Sequence, residues 1–542
     1  MTSVPNDPSR GQANPTSIAW QQAERAYNAG DFDAALRAGE RVLDKEPLHS
    51  PAHLMLANLR SHRDEYRLST RHALQAAEKM GVQSLQHIAA VTLRLITVGE
   101  YERAFAVIRK IDPRAVKAPP FLVEFAQQLS LIEQHEDALR YLDAAISYGI
   151  QADSVGYIRG NYLKFLGRLD EAAAEYERAL AINPNFAYAH WALAYLGAGG
   201  DPAPRIDRIR RTLAATADDH PDRAYLQYAL FRELDGIDAT REAWQALAAG
   251  AASKRRRVEY DAAAETALLD RLAAACGADF LRASVIDPSA KIPIFVLGMP
   301  RTGTTLLERI LGGNRDVTLC GELNDFRMQF KWASDHHCLG FIDETGIARL
   351  ADVDFDELGQ RYLQHVGWRT PSTRHFSDKN PGNFILAGLI LRALPQAKIV
   401  HLRRGAMDSC FSNLKELFAA NAHPYSYDFQ DLAAHYRNYS RLMAHWHSIA
   451  PGRILDVHYE AMVSDPDTEA RRVMDYCGLD YRPEQIRVED SALPVSTASS
   501  AQVRQPIHRR NIGGWKRYAD ALAPLERLLE GADSSEFTSA RR

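Results

Sequence analysis

Cysteine is scarce. The 542 residues hold five, at Cys276, Cys320, Cys338, Cys410 and Cys477, an odd number without CxxC spacing. Scattered thiols of this kind exclude a disulfide framework and a structural zinc site, and they fit a reducing, cytoplasmic compartment. Long apolar runs are missing as well. Nothing approaches the roughly 18 apolar residues that a membrane-spanning helix needs, and the N-terminal "MTSVPNDPSRGQANPTS" has no apolar signal core. There is no bulk charge of one sign. Lys+Arg of 65 against Asp+Glu of 69 leave a net −4, which argues against nucleic acid or an anionic membrane as the main partner. The basic patches "KRRR" (Lys254 to Arg257) and "HRR" (His508 to Arg510) read as solvated surface. What remains is ordinary globular composition, 46% hydrophobic and 25% charged, on a chain long enough for roughly three or four domains.

The first half is periodic. Ala35, Ala104, Ala138 and Ala172 occupy the same place in similar segments, the last three 34 residues apart and the first gap, 69, about two periods. Ser69 falls where the missing alanine would stand. A period of 34 made of two amphipathic helices resembles the tetratricopeptide repeat. The segment around Gly167 matches best, with Gly160, Ala172, Tyr176, Ala179 and Pro184 at the small, small, aromatic, small and proline positions. Small residues let antiparallel helices approach, the aromatic fills the groove, and proline ends the second helix. The expected organisation is a flexible tail over 1–15, repeats over 16–199, and a helical capping or linker region over 200–285. The resemblance implies a concave surface for a peptide, protein partner or acceptor. Support of the second domain, or contact within a homodimer, is the plainer alternative.

From residue 290 the pattern changes. "IPIFVLG" (Ile292 to Gly298), "AKIVHLR" (Ala397 to Arg403) and "RILDVHYEAMV" (Arg453 to Val463) read as buried strands, each followed by a helical pattern. Strands alternating with helices predict a parallel sheet covered on both faces over 290–530, with ligand sites at the carboxyl ends of the strands.

After the first strand comes "GMPRTGTT". Its glycines, Gly298 and Gly303, have the spacing of a phosphate-binding loop, but the lysine position holds Thr304. The backbone N–H cradle survives, and the charge comes instead from Arg301, whose planar fork can grip two oxygens. Such a loop suits an anion less charged than a triphosphate. "PRTGTT" after an apolar strand resembles the 5′-phosphosulfate loop of sulfotransferases. These take the sulfuryl group from 3′-phosphoadenosine 5′-phosphosulfate (PAPS). "RRGAMDSCFS" supports the resemblance, since Arg404 and Ser412 have the spacing of that family's 3′-phosphate site.

The resemblance spans about Ile292 to Tyr518 and implies a sulfotransferase fold. It assigns PAPS to Pro300, Arg301, Thr302, Gly303, Thr304, Thr305, Arg404, Ser412, Tyr459 (against the adenine) and Lys516. It assigns Glu322 as general base, Lys379 beside the bridging oxygen and Ser499 as the catalytic serine, as in the tyrosylprotein branch, and no metal. That branch has an arginine where this chain has Asp325, so a protein tyrosine, a glycan and a small molecule all stay open as the hydroxyl acceptor. A P-loop kinase or other NTP-using enzyme, and a non-catalytic repeat scaffold, are the competing readings. "DHHC" (Asp335 to Cys338) spells a palmitoyltransferase motif but lacks its flanking cysteines and membrane spans.

Overall fold

The computed structural model describes residues 15–78, 80, 84–197, 199–281, 290–490 and 504–530. Its first part is built of helix pairs, such as Pro15–Asn28 with Phe32–Lys45, Ser50–His62 with Tyr66–Glu78, and Asp153–Phe165 with Leu169–Ile182. The small position of the repeat explains the pairing. Ala35, Ser69, Ala104, Ala138 and Ala172 are all fully buried. Ser69 can stand in for alanine because its hydroxyl donates to the Ala57 carbonyl at 2.8 Å, so no buried polar group is orphaned. A Cβ on Gly160 would come within 2.4 Å of the fully buried Tyr176 ring. The absence of that side chain is what seats the aromatic.

Helices Ala203–Ala215, Asp222–Gly236, Thr240–Arg255 and Ala262–Ala275 follow. Their apolar residues point two ways. Ile209, Leu213, Leu226 and Ala229 join Ala187 and Ala194 of the last repeat helix. Tyr228, Phe231, Leu247 and Leu272 join the core that covers one face of the sheet. The segment therefore bridges the repeats and the α/β part.

The sheet has strands β1 (Ile292–Gly298), β2 (Val317–Leu319), β3 (His375–Asp378), β4 (Lys398–Arg403) and β5 (Ile454–His458), in the order β2-β3-β1-β4-β5. All pairings are parallel. Side chains alternate between two cores. Ile294, Val296, Val400 and Leu402 pack with Leu307, Val473 and Met474. Phe295, Leu297 and Ile399 pack with Tyr362, Phe376 and Trp446. Each such buried side chain contributes about 1.5–3 kcal/mol.

The repeats dock directly on the α/β part. The Arg67 backbone N–H donates to Asp335 at 2.7 Å, and its guanidinium to the Trp332 and Ala333 carbonyls. His336 sits between two carboxylates, Nδ1 at 2.7 Å from Asp64 and Nε2 at 2.9 Å from Asp343. The His337 ring lies 4.6 Å from that of Tyr66. "DHHC" is thus part of an interdomain joint. "KRRR" is partly anchored: Lys254 donates to the Ala420 carbonyl and Arg255 pairs with Asp431 at 2.8 Å, while Arg256 and Arg257 are exposed. Among the described residues no helix is long and apolar enough to cross a membrane, and all five cysteines are buried free thiols.

Candidate active site

Each strand delivers one sequence-predicted residue within three positions of its carboxyl end: Arg301 after β1, Glu322 after β2, Lys379 after β3, Arg404 after β4 and Tyr459 after β5. The parallel topology is what collects them on one edge of the sheet.

The loop after β1 is tightly held. Gly298 has φ 151 and a Cβ there would lie 2.4 Å from the Leu402 carbonyl oxygen, while Gly303 has φ 110 and a Cβ would lie 2.7 Å from the Tyr459 ring. Arg301 takes φ 67, a left-handed conformation costly for a non-glycine. The segment after β4 holds it there. Asn413 Nδ2 donates to the Pro300 carbonyl at 2.8 Å and Arg404 Nη1 to the Arg301 carbonyl at 3.3 Å. Thr302 donates its hydroxyl to the Met299 carbonyl at 2.7 Å, so it shapes the loop and leaves only lone pairs for a ligand. Thr304 and Thr305 are buried at the start of the helix Thr304–Gly312. That helix is buried on nearly every side rather than amphipathic, Glu308 and Arg309 included.

Arg404 and Ser412 face one another, Nη1 at 3.3 Å from Oγ. Arg404 also stacks on Tyr459, its Cζ 4.6 Å from the ring centroid. Burial lowers the proton affinity of the Arg404 guanidinium, with Asp408 pulling the other way. These residues border a cavity of about 460 Å³, whose wall includes Arg301, Gly303, Thr305, Arg404, Ser412 and Tyr459. The wall is strongly cationic in ways the motifs did not reveal: Arg232, Lys415, Arg510 and Arg517 lie on it, with Asp235. Lys415 is one helical turn past Ser412, a signal legible in retrospect. Burial, then Arg232, Arg404 and Arg301, push its ammonium down to about 8. Behind the loop, Glu416 lies 3.6 Å from Arg301, and burial raises its carboxyl despite that cation.

Two expectations shift. "HRR" borders a cavity as well as solvent: His508 and Arg510 line it, while Arg509 and Arg510 are exposed. Lys516 is exposed and lies off the cavity wall, which its neighbour Arg517 occupies. Ser499 lies outside the described residues.

At the ends of β2 and β3, Lys379 Nζ donates to Glu322 Oε1 at 2.6 Å. Lys379 is fully buried, whereas the Glu322 side chain is 39% exposed and reachable from solvent. The support is elaborate. Gly321, at φ 70, accepts from the Lys379 N–H at 2.9 Å and donates to Glu308 at 3.1 Å; Glu308 also accepts from Ser377 at 2.6 Å. Burial raises the Glu308 carboxyl. Nothing in the sequence marked Glu308 beyond a charge next to Arg309 on a largely apolar helix. Asp325 is 1% exposed and pairs with Arg369 at 3.4 Å, so its charge is consumed internally.

One cluster has metal-ligand composition among the described residues, His401, His447 and Asp456. Both imidazoles already bond to Asp456 Oδ1, at 2.7 and 2.9 Å, and His401 also meets the Tyr439 hydroxyl. It reads as a hydrogen-bonded network between β4, β5 and the helix Phe429–Ile449.

Comparison with known proteins bears on this geometry. Residues 293–483 match the sulfotransferase family, and residues 160–198 match the TPR repeat. An uncharacterized protein of Aquifex aeolicus (strain VF5) is 28% identical over 377 residues, 68% of this chain but 49% of that protein. A putative protein-tyrosine sulfotransferase of Caenorhabditis briggsae is 25% identical over 259 residues, 45% of this chain and 89% of the relative. The solved sulfotransferase domain of the Synechococcus PCC 7002 olefin synthase is 18% identical with a TM-score of 0.33, over 48% of this chain and 100% of that one. Apart from Ile292, the family match covers the five strands and the loops that follow them, and the repeat match falls on the helices around Tyr176: the α/β part of this chain is similar to the sulfotransferase family and the helices before it to the tetratricopeptide repeat.

Proposed function

We propose that this chain is a PAPS-dependent sulfotransferase that moves a sulfuryl group to an acceptor hydroxyl. The observation that carries this reading is the cationic cavity that joins the Arg301 loop to the Arg404–Ser412 pair. A loop with one arginine and a second anion grip beside it fits a nucleotide charged at both ends. The Glu322–Lys379 pair stands at neighbouring strand ends. In this reading Arg301 and the loop N–H groups hold the phosphosulfate, Arg404 and Ser412 hold the 3′-phosphate, and Tyr459 borders the adenine.

The acceptor oxygen forms a bond to sulfur as the bond from sulfur to the 5′-phosphate oxygen breaks. The acceptor proton passes to Glu322, and adenosine 3′,5′-bisphosphate leaves. Lys379 offsets the charge growing on the leaving oxygen, with Ser499 as a further donor. Side-chain cations supply the positive charge, so the step requires no metal. The acceptor class stays at a hydroxyl of a protein tyrosine, glycan or small molecule, with the repeats as the surface that recruits it or a partner. The internal pairing of Asp325 with Arg369 removes the repulsion that an exposed aspartate would raise against an acidic peptide.

Calorimetric titration tests the donor. The expected result is binding of adenosine 3′,5′-bisphosphate that is lost in Arg301→Ala. Absence of binding by the wild-type chain overturns the reading, and tighter binding of Mg²⁺–ATP than of the bisphosphate moves it to the NTP-using class. Transfer of labelled sulfate from PAPS into a lysate, resolved by size, identifies the acceptor class.

A further inference from the structure

We propose that Arg232, on the helix Asp222–Gly236 outside the sulfotransferase-family domain, is a donor-binding residue that grips the anion at the Arg404–Ser412 end of the cavity. The inference rests on the donor reading above. It makes the donor site composite, with one wall from the helical segment that precedes the sheet.

Arg232 lies on the cavity wall together with Arg404, Ser412 and Lys415. Its guanidinium stands over the Tyr195 ring, 5.7 Å from the centroid. Among the described residues no hydrogen bond satisfies it, which leaves its donors for a ligand. Its position relative to Ser412 is set by two hydroxyls. Tyr195 donates to the Lys415 carbonyl at 2.6 Å and Tyr228 to the Leu414 carbonyl at 2.8 Å. Both carbonyls belong to the end of the helix Ala406–Leu414, where backbone acceptors lack intrahelical partners. Tyr195 of the last repeat helix and Tyr228 of the helix Asp222–Gly236 thus cap the helix that carries Ser412, and the second brings Arg232 with it.

The C-terminal end of the helix Asp222–Gly236 anchors the far wall. Arg517 pairs with Asp235 at 3.0 Å and with Asp238 at 2.8 Å, and the Tyr518 hydroxyl donates to Asp235 at 2.6 Å. Asn511 and Arg510, from the segment so held, line the cavity beside Arg404. Electrostatics point to an anion among these groups. Arg232 is the charge that acts most on Lys415, ahead of Arg404 and Arg301. Glu416 attracts Arg301, Arg232, Lys164 and Lys415, Asp235 also acts on Lys415, and two carboxylates do not balance four cations. A phosphate placed among them relieves the repulsion.

The test compares two ligands by calorimetry on the full chain: adenosine 3′,5′-bisphosphate and adenosine 5′-phosphosulfate, which lacks the 3′-phosphate. Arg232→Ala is expected to weaken the bisphosphate by about tenfold to a hundredfold, as for loss of a hydrogen bond to a charged group, while changing the 5′-phosphosulfate by less than about twofold on the same scale. Arg232→Lys is expected to recover part of the loss, and it serves as the folded variant if the alanine form is unstable. Unchanged bisphosphate affinity in a folded variant, or equal weakening of both ligands, overturns the proposal. Failure of the wild-type chain to bind either ligand overturns the donor reading itself and this inference with it, a result separable from the first two.

Discussion

Glu322 and Lys379 meet at 2.6 Å with very different surroundings, the lysine fully buried and the glutamate 39% exposed. That asymmetry governs how the pair responds to change. Removing the carboxylate with Glu322→Ala leaves a buried ammonium without its partner, so activity loss there mixes with destabilisation. Glu322→Gln keeps a hydrogen-bond acceptor for Lys379 and removes only the base. The expected outcome is a fall of about 10²–10⁴-fold in sulfuryl transfer, with bisphosphate affinity unchanged by calorimetry. A variant that keeps wild-type turnover removes Glu322 from the base role. At this scale the sequence was legible where a residue type sits beside its strand, as Arg301, Arg404 and Tyr459 do. It was not legible for Glu308, whose role depends on Gly321 and Ser377 arriving from other strands.

At the scale of elements, glycines decide how closely parts approach, and three variants expose this. Gly160→Ala drives a Cβ to within 2.4 Å of the Tyr176 ring. Overpacking of this kind costs about 1–3 kcal/mol, to be read from the denaturation midpoint. Gly236→Ala, where nothing lies within 4 Å of the new Cβ, is the control and is expected to be neutral or slightly stabilising. In the loop after β1, Gly303→Ala combines φ 110 with a Cβ 2.7 Å from the Tyr459 ring. It is expected to weaken bisphosphate binding as well as stability, since the same ring borders the cavity. Equal bisphosphate affinity in wild type and Gly303→Ala contradicts that link. The repeat period, the strand ends and the loop glycines were all readable here, because each is set by neighbours a few residues away.

At the scale of the whole molecule, the joint between repeats and α/β part has a pH signature. Partial burial works against ionisation of Asp64 and Asp343, but backbone N–H donors and His336 outweigh it and hold both carboxyls below their ordinary value of 3.8. A carboxyl depressed on folding contributes stability that is fully present above its unfolded value and is lost as pH falls through the folded one. The joint is therefore expected to weaken below about pH 4, near the ordinary carboxyl value. Asp64→Asn should flatten the acid limb of stability against pH, measured by denaturant unfolding. An unchanged acid limb means that other carboxylates govern it.

The sequence by itself determined the paired helices, a parallel sheet through three of its five strands, and Arg301 and Arg404 beside two of them, all from local periodicity and short spacings. Glu322, Lys379 and Tyr459 came from the family resemblance, and β2 and β3 only from the fold. Only the tertiary structure decided that "DHHC" is an interdomain joint, that "HRR" faces a cavity, that Asp325 is neutralised, and that Arg232 reaches the wall of the cationic cavity. The physical reason is the same in each case. A charge has no local pattern of its own, and its role is set by which distant groups the folded core brings within a few ångströms of it.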